Sequence, residues 1–307
     1  MNSSKNLIDK VQVIEVDFLN QESLIAIPNE IDAAYYLIHS MSGSAKNYDE
    51  LEHASALNFV DRINLTQVKQ VIYLSGIVND TILSKHLASR KAVEDVLKTG
   101  LFAITTLRAG IIVGSGSASF EIIRDLVNKL PVMITPKWLN TKCQPIAISD
   151  VLDFLMGSLH NELTYDQNFD IGGPDILTYK EMLLGFAKAA GLKRYIYTVP
   201  VMTPKLSSYW LYFVTSTSYK LASALVSSMK VEVICQDNRI NALLQLQPMS
   251  YSQAVSRALI KIDKDDIASS WKDAMISGQF TGSVADYLKV PKKKLLYRPP
   301  QKRNSQP

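Results

Sequence analysis

Short runs that are apolar on both faces alternate with helix-spaced segments through the first half of the chain, and this alternation limits what it can fold into. The runs are Asp32 to His39 (DAAYYLIH), Val71 to Ser75, and Phe102 to Leu107 continuing at Ile111 to Val113. A strand with one wet face alternates apolar and polar residues. These do not, so each is expected to lie buried between helix layers. Helical spacing follows from about Tyr48 to Leu65, Ser84 to Thr99 and Ser119 to Leu130. Val11 to Val16 is a further β-rich run ahead of them. Repeated strand–helix units require a parallel sheet joined by right-handed crossovers. The expected class is α/β, a doubly wound parallel sheet.

The pattern loosens after about Lys142. Asp150 to His160 reads as a helix capped by Ser149, and Asn168 to Ile171 as a short strand ended by Gly172-Gly173-Pro174. Thr178 to Ala190 is a cleaner helix, with Thr178 as N-cap, Glu181 three residues on, and Gly191 past its end. We expect residues 1–142 to form an α/β domain with a parallel sheet, 143–245 a smaller α/β substrate-side region, and 246–307 a polar tail.

Composition narrows the classes. Hydrophobic residues make up 47% and charged residues 20%, as in an ordinary soluble enzyme. The net charge of +4 has much of its surplus in Lys292-Lys293-Lys294, Arg298, Lys302 and Arg303, which reads as a solvated terminus. The body has no basic stripe interleaved with aromatics, so nucleic-acid binding is not expected. Cys143 and Cys235 are the only cysteines; they make no disulfide framework and no metal-ligand spacing, which points to a reducing cytoplasm. The start, Met1-Asn2-Ser3-Ser4-Lys5, leads into no signal-peptide run. Tyr209 to Met229 is apolar but broken by Thr215, Ser216, Thr217, Ser218 and Lys220, short of the roughly 20 apolar residues a span needs. Contact with a membrane surface stays open there, but packing on its own domain is favoured.

Ligands of such sheets sit at the carboxyl ends of the strands. The residues to watch are therefore Asp17, His39-Ser40-Met41, Ser75-Gly76 and Arg108-Ala109-Gly110. A G-x-G-x-x-G turn after the first strand would let backbone amides reach a pyrophosphate, and nothing before Val11 could form one. Gly114-Ser115-Gly116-Ser117 lacks the third glycine and comes late; we expect it to shape the floor of a substrate cleft. His86 and Arg90 share a helix face four residues apart. With the Ser75 hydroxyl they have the chemistry to polarise a carbonyl or relay a proton; an ordinary solvated first turn is the competing reading. No G-x-S-x-G elbow, Walker loop or H-E-x-x-H supports a hydrolase, kinase or metalloprotease.

Several blocks in order, Asp32–Met41, Tyr73–Gly76, His86–Glu94 (HLASRKAVE), Leu107–Glu121, Leu130–Pro136, Gln144–Val151 and Asp170–Tyr179 (DIGGPDILTY), resemble the atypical short-chain dehydrogenase/reductase family. Within it they are similar to the NAD(P)H-binding, NmrA-like bacterial branch, over residues 11–245. The resemblance implies a Rossmann-like fold and NADP or NAD as cofactor. It implies that Asp17 lies beside the adenine and that His39, Ser40 and Met41 run along the cofactor. Ser75 and the turn Ala109, Gly110, Ile111 and Ile112 would then lie near the nicotinamide, with Gln144–Ile148 closing the substrate pocket. Where the family has a catalytic Tyr and a Lys four residues later, this chain has His86 and Arg90. Imidazole can still give a proton, but an Arg does not replace a Lys without changing geometry.

Relatives begin with strand, glycine loop, helix and second strand, whereas this sequence opens where their third strand would be. On that resemblance the chain is N-terminally truncated, and Ser269-Ser270-Trp271 opens an incomplete extra C-terminal domain. Removing the central strands would leave Val11–Val16 unpaired and expose apolar sheet edges. The expected function is NAD(P)H binding, with oxidoreductase activity on a small or apolar substrate suggested by Leu206–Val226. A non-catalytic dinucleotide-binding or regulatory module, and an inactive truncated remnant, remain the alternatives.

Overall fold

The computed structural model describes residues 11–38, 48–79, 85–199 and 229–263. Its centre is a four-stranded parallel sheet in which β1 (Ala33–Tyr36), β2 (Gln70–Gly76), β3 (Ala103–Ala109) and β8 (Gln167–Ile171) follow one another across the sheet. All three pairings are parallel, with Tyr35 beside Ile72, Ser75 beside Arg108, and Arg108 beside Asp170. The remaining elements are, in chain order, α1 (Tyr48–Ile63), α2 (Lys85–Leu97), β4 (Ile112–Val113), α3 (Ala118–Lys129), β5 (Val132–Pro136), β6 (Lys142–Cys143), β7 (Ile146–Ala147), α4 (Ile148–Ser158), β9 (Leu177–Thr178), α5 (Tyr179–Ala189), β10 (Tyr195–Val199), α6 (Arg239–Leu244) and α7 (Tyr251–Asp263). Small strand pairs β4–β7, β5–β10 and β6–β9 flank the main sheet.

Both faces of the sheet are covered, which is why its strands read as apolar throughout. Tyr36, Val71, Tyr73 and Ile104 pack against α1 and α2 through Phe59, Val60, Val93 and Leu97. On the other face Ile72, Leu107, Phe169 and Ile171 pack on Val151, Phe154 and Leu155 of α4 and Ile240 of α6. Burying a side chain of this size contributes about 1.5–3 kcal/mol. A separate cluster, with Phe120, Val127, Met182, Phe186 and Val255 at its heart, joins α3, α5 and α7.

Local signals behave as their chemistry demands. Thr178 Oγ1 accepts from the Glu181 amide at 3.1 Å, and the Glu181 carboxylate accepts from the Thr178 amide at 2.7 Å, closing a capping box on α5. Gly191, just past that helix, has φ +68°, the left-handed position expected of a helix-ending glycine. Two expectations fail. The α4 helix starts at Ile148 rather than Asp150, with Ala147 as its N-cap instead of Ser149, because β7 runs straight into it. Val11–Val16 forms no strand. A ladder needs a neighbour, and no described strand runs beside these residues. Leu206–Val226 and the tail beyond Asp263 lie outside the described residues.

The segment after Val16 folds back on α1. Asn58 Nδ2 donates to the Phe18 carbonyl at 2.8 Å, and Arg62 donates to the carbonyls of Leu24 (2.9 Å) and Ile27. Among the described residues no strand pairs with the outer edge of β1.

Candidate functional site at the strand ends

β2 and β3 finish side by side, with Gly76 opposite Ala109 and the Ile77 amide donating to the Ala109 carbonyl at 3.1 Å. Next to them the chain crosses over closely. A Cβ on Gly110 would stand 3.0 Å from the Gln144 carbonyl oxygen, so a larger residue here would press on the facing backbone. Gln144 ties three segments together: its Nε2 donates to the Gly173 carbonyl at 2.7 Å and its Oε1 accepts from the Cys235 amide at 3.0 Å. Ile111 is held through its carbonyl, which accepts from the Ile146 amide at 2.9 Å. Beside this crossing lies a cavity of about 240 Å³ lined by Gln144, Asp170, Gly173, Cys235, Asn238 and Asn241. Burial raises the Asp170 carboxyl above its ordinary pKa, against a lowering hydrogen bond from the Gln236 amide at 2.9 Å.

Under the strand ends, facing α1 and α2, is a polar layer. Ser75 is 2% exposed. Tyr73 Oη donates to the Arg90 carbonyl at 3.3 Å, and Ser89 Oγ donates to the Glu52 carboxylate. The Arg90 guanidinium is enclosed at this interface; its Nε is buried without a hydrogen-bond partner, and burial lowers its pKa. The charges of Tyr73 and Glu52 act in the opposite sense. One turn further along α2, Glu94 holds Arg108 of β3 and Lys98.

The residues singled out from sequence are thus divided. Ser75, Ala109, Gly110, Ile111 and Ile112 come together at the ends of β2 and β3. Arg90 lies beneath them in the helix–sheet interface. His86 falls in the first turn of α2, one turn before Arg90; its side chain, like His39, Ser40 and Met41, lies outside the described residues. Asp17 sits in an exposed turn, where its Oδ1 accepts from the Leu19 amide at 2.9 Å. Gly114 does not open a phosphate loop: a Cβ there would stand 2.4 Å from Ile148 Cγ2, so the turn packs against α4. Sequence reasoning missed Tyr73, Asp170 and Cys235. Only Asp170 carried a readable signal, an acid within an apolar strand just before Gly172-Gly173. Among the described residues no three His, Cys, Asp or Glu side chains gather to hold a metal ion.

The sheet order matters to any dinucleotide. Such ligands bind where strand order reverses, beside a glycine turn at a helix N-terminus. Here the four strands run one way across the sheet. The reversal would lie at the open edge of β1, and no described residues form the glycine turn.

No family model matches the sequence, and no curated protein matches it. Solved structures do match in fold. A nucleoside-diphosphate-sugar epimerase from Staphylococcus aureus superposes with a TM-score of 0.63 at 16% identity, covering 82% of this chain and 85% of that one. The Citrobacter sp. triphenylmethane reductase complexed with NADP(H) gives 0.65 at 14% identity, covering 83% and 86%. An NADPH-dependent quinone oxidoreductase from Escherichia coli, complexed with NADPH, gives 0.62 at 13%, covering 83% and 86%. The fold is shared with these reductases and epimerases. At such identities the likeness speaks for the Rossmann-like architecture alone.

Of what NADP or NAD would need, the described residues form no glycine turn to offer amides to the pyrophosphate, and at the paired ends of β2 and β3 Ser75 and Ala109 are buried.

Proposed function

We propose that the chain is a nicotinamide-dinucleotide-binding protein of the atypical short-chain reductase type that binds its ligand without efficient turnover. The observation behind this reading is the placement of Ser75 and Arg90. Ser75 is 2% exposed, and the Arg90 guanidinium is enclosed beside Tyr73. A group that polarises a carbonyl must come within hydrogen-bond reach of it, and these two are spent inside the helix–sheet interface. On this reading Gly110, Ile111 and Ile112, with the buried Ser75 and Ala109 beneath them, shape the nicotinamide end, His39, Ser40 and Met41 run along the cofactor, and Asp17 stands toward the adenine.

From the described residues alone, affinity is expected to be low. Hydrogen bonds to charged groups contribute about 1.5–3 kcal/mol each, and with two pyrophosphate contacts absent among the described residues binding is weaker by on the order of 100-fold or more. A reductase acting on a small or apolar substrate is the second reading. His86 favours it, standing one turn ahead of Arg90 at the start of α2 with a side chain able to donate a proton near neutral pH.

Fluorescence titration with NADPH and NADH, followed by turnover assays on His86→Ala, tests both. Weak saturable binding that His86→Ala leaves within about twofold, without turnover, supports the binding protein; the threshold lies well below one tenfold affinity step. Turnover that His86→Ala abolishes supports the reductase. A folded protein that binds neither nucleotide overturns both.

A further inference from the structure

We infer that the cavity at the carboxyl end of β8 is a binding site for a small hydroxylated organic cation, a primary ammonium on a sugar-like body. Its volume of about 240 Å³ holds about eight waters at roughly 30 Å³ each, and so admits a molecule of monosaccharide size. Every residue that lines it is among the described residues. The site works independently of a dinucleotide, whose expected place is at the ends of β2 and β3.

The charge of the ligand follows from Asp170. It is the one carboxyl in the lining, and no lysine, arginine or histidine stands there with it. Asp170 Oδ2 accepts from the Gln236 amide at 2.9 Å, and Oδ1 accepts no hydrogen bond among the described residues. Arg108 is its neighbour in the sheet register, but that guanidinium is taken by Glu94, with Nη2 2.8 Å from Oε1. Asp170 is thus half-buried, with no ion-pair partner among the described residues. A carboxylate withdrawn from water without a partner is costly. A ligand ammonium replaces the lost solvation with a charge-assisted hydrogen bond to Oδ1, whereas a phosphate or carboxylate would meet only like charge.

The body of the ligand follows from the other walls. Asn238 and Asn241 bring carboxamides, each with two donors and an acceptor oxygen. Asn238 stands at the N-cap of α6, yet its side chain makes no capping bond. Only Cys235, Pro174 and Pro248 add apolar side chains, so nothing aliphatic or aromatic lies ready for a flat ring. Such walls suit hydroxyl groups. They are also fixed in place, because Gln144 spends its amide on the Gly173 carbonyl and the Cys235 amide. A Cβ on Gly172 would stand 2.7 Å from Cys235 Sγ, and one on Gly173 2.5 Å from the Pro145 carbonyl oxygen, so the loop after β8 is closely packed behind the cavity.

Titration calorimetry on the full chain with glucosamine and with glucose, in potassium phosphate buffer, tests the proposal, because the two probes differ in the ammonium. Glucosamine is expected to bind saturably and at least ~10-fold more tightly than glucose. Asp170→Asn keeps an oxygen for the Gln236 amide and removes the charge; it should weaken glucosamine at least ~10-fold and erase its advantage over glucose. Glu162→Gln, at an exposed acid before the other end of β8, should leave the affinity within about twofold. Circular dichroism checks that each variant folds. If Asp170→Asn does not, Asn241→Ala gives a second route and should weaken both sugars at least ~3-fold. A wild type that does not bind glucosamine overturns the proposal, and so does equal binding of glucose. It is also overturned by an affinity that Asp170→Asn or Asn241→Ala leaves unchanged, or that Glu162→Gln lowers as much as Asp170→Asn does.

Discussion

Arg108 of β3 grips Glu94 of α2 through two nitrogens, with Nη2 2.8 Å from Oε1 and Nε 3.2 Å from Oε2. The Glu94 side chain is 1% exposed, that of Arg108 20%. Removing one member of a buried pair leaves the other charge uncompensated, which typically costs 3–5 kcal/mol. Lys98 Nζ also reaches Glu94 Oε1 at 2.7 Å and offsets part of that loss. Arg108→Met is therefore expected to destabilise the protein by about 2–3 kcal/mol, read as a lower midpoint in urea unfolding. A double-mutant cycle with Glu94→Gln should give a clear coupling energy; additivity would mean the pair does not act as one.

Gln70, at the amino end of β2, is wholly buried, and its amide is fully used. Nε2 donates to Thr105 Oγ1 and to the Ser158 carbonyl, both at 2.9 Å, while Oε1 accepts from the His160 amide at 2.7 Å. This network secures the end of α4 to the sheet and holds His160 at φ 55°, a left-handed value uncommon outside glycine. Gln70→Leu matches the shape but orphans the His160 amide, while the Ser158 carbonyl still accepts from the Asn161 amide at 3.3 Å. The expected loss is about 1–3 kcal/mol for the one unsatisfied group, with faster hydrogen exchange localised to residues 158–165. Uniform exchange changes would refute the local role.

What was legible in the sequence was local. Thr178, Glu181 and Gly191 announce α5 because capping depends on residues within one turn of each other. The apolar runs at Val71 and Ala103 announce strands because burial on both faces leaves its mark residue by residue. Val11–Val16 shows the limit: its residues suit a strand, yet a strand exists only beside a partner, and partners are not written in the run itself. The site fell the same way. Ser75 and Ala109–Ile112 were legible as strand ends, whereas the burial of Arg90 beside Tyr73, and the meeting of Asp170 with Cys235 across 65 residues of chain, exist only once the helices pack.

Both cysteines should be inert in the native state. Burial pushes the thiol of Cys143 up to about 12, with the Glu181 charge adding to it. Burial does the same for Cys235, to about 12, helped by the Asp170 carboxylate. The thiolate is the reacting form, so a rise from the ordinary 9.0 to about 12 lowers its population on the order of 1000-fold at pH 8. Alkylation by iodoacetamide, followed by mass spectrometry, should find both residues unmodified while a denatured control is fully labelled. Rapid native labelling of Cys235 would show that the cavity it lines is more open and more polar than the fold indicates.

Asp170 gives the fold a pH dependence whose sign can be stated. Burial raises its carboxyl above the ordinary 3.8, so the native state holds the proton more tightly than the unfolded chain does. The stability this confers is complete below pH 3.8 and is lost as pH rises through the native-state value. At neutral pH the ionised carboxylate is a net burden on folding. Arg108 and the Gln236 amide reduce that burden without reversing it. Asp170→Asn keeps an oxygen for the Gln236 amide and removes the charge. The variant should melt at or above the wild-type temperature at pH 7, with the difference fading as the pH falls below 3.8, measured by thermal unfolding at both pH values. A variant that melts lower at pH 7 would show that attraction to Arg108 outweighs desolvation at the end of β8.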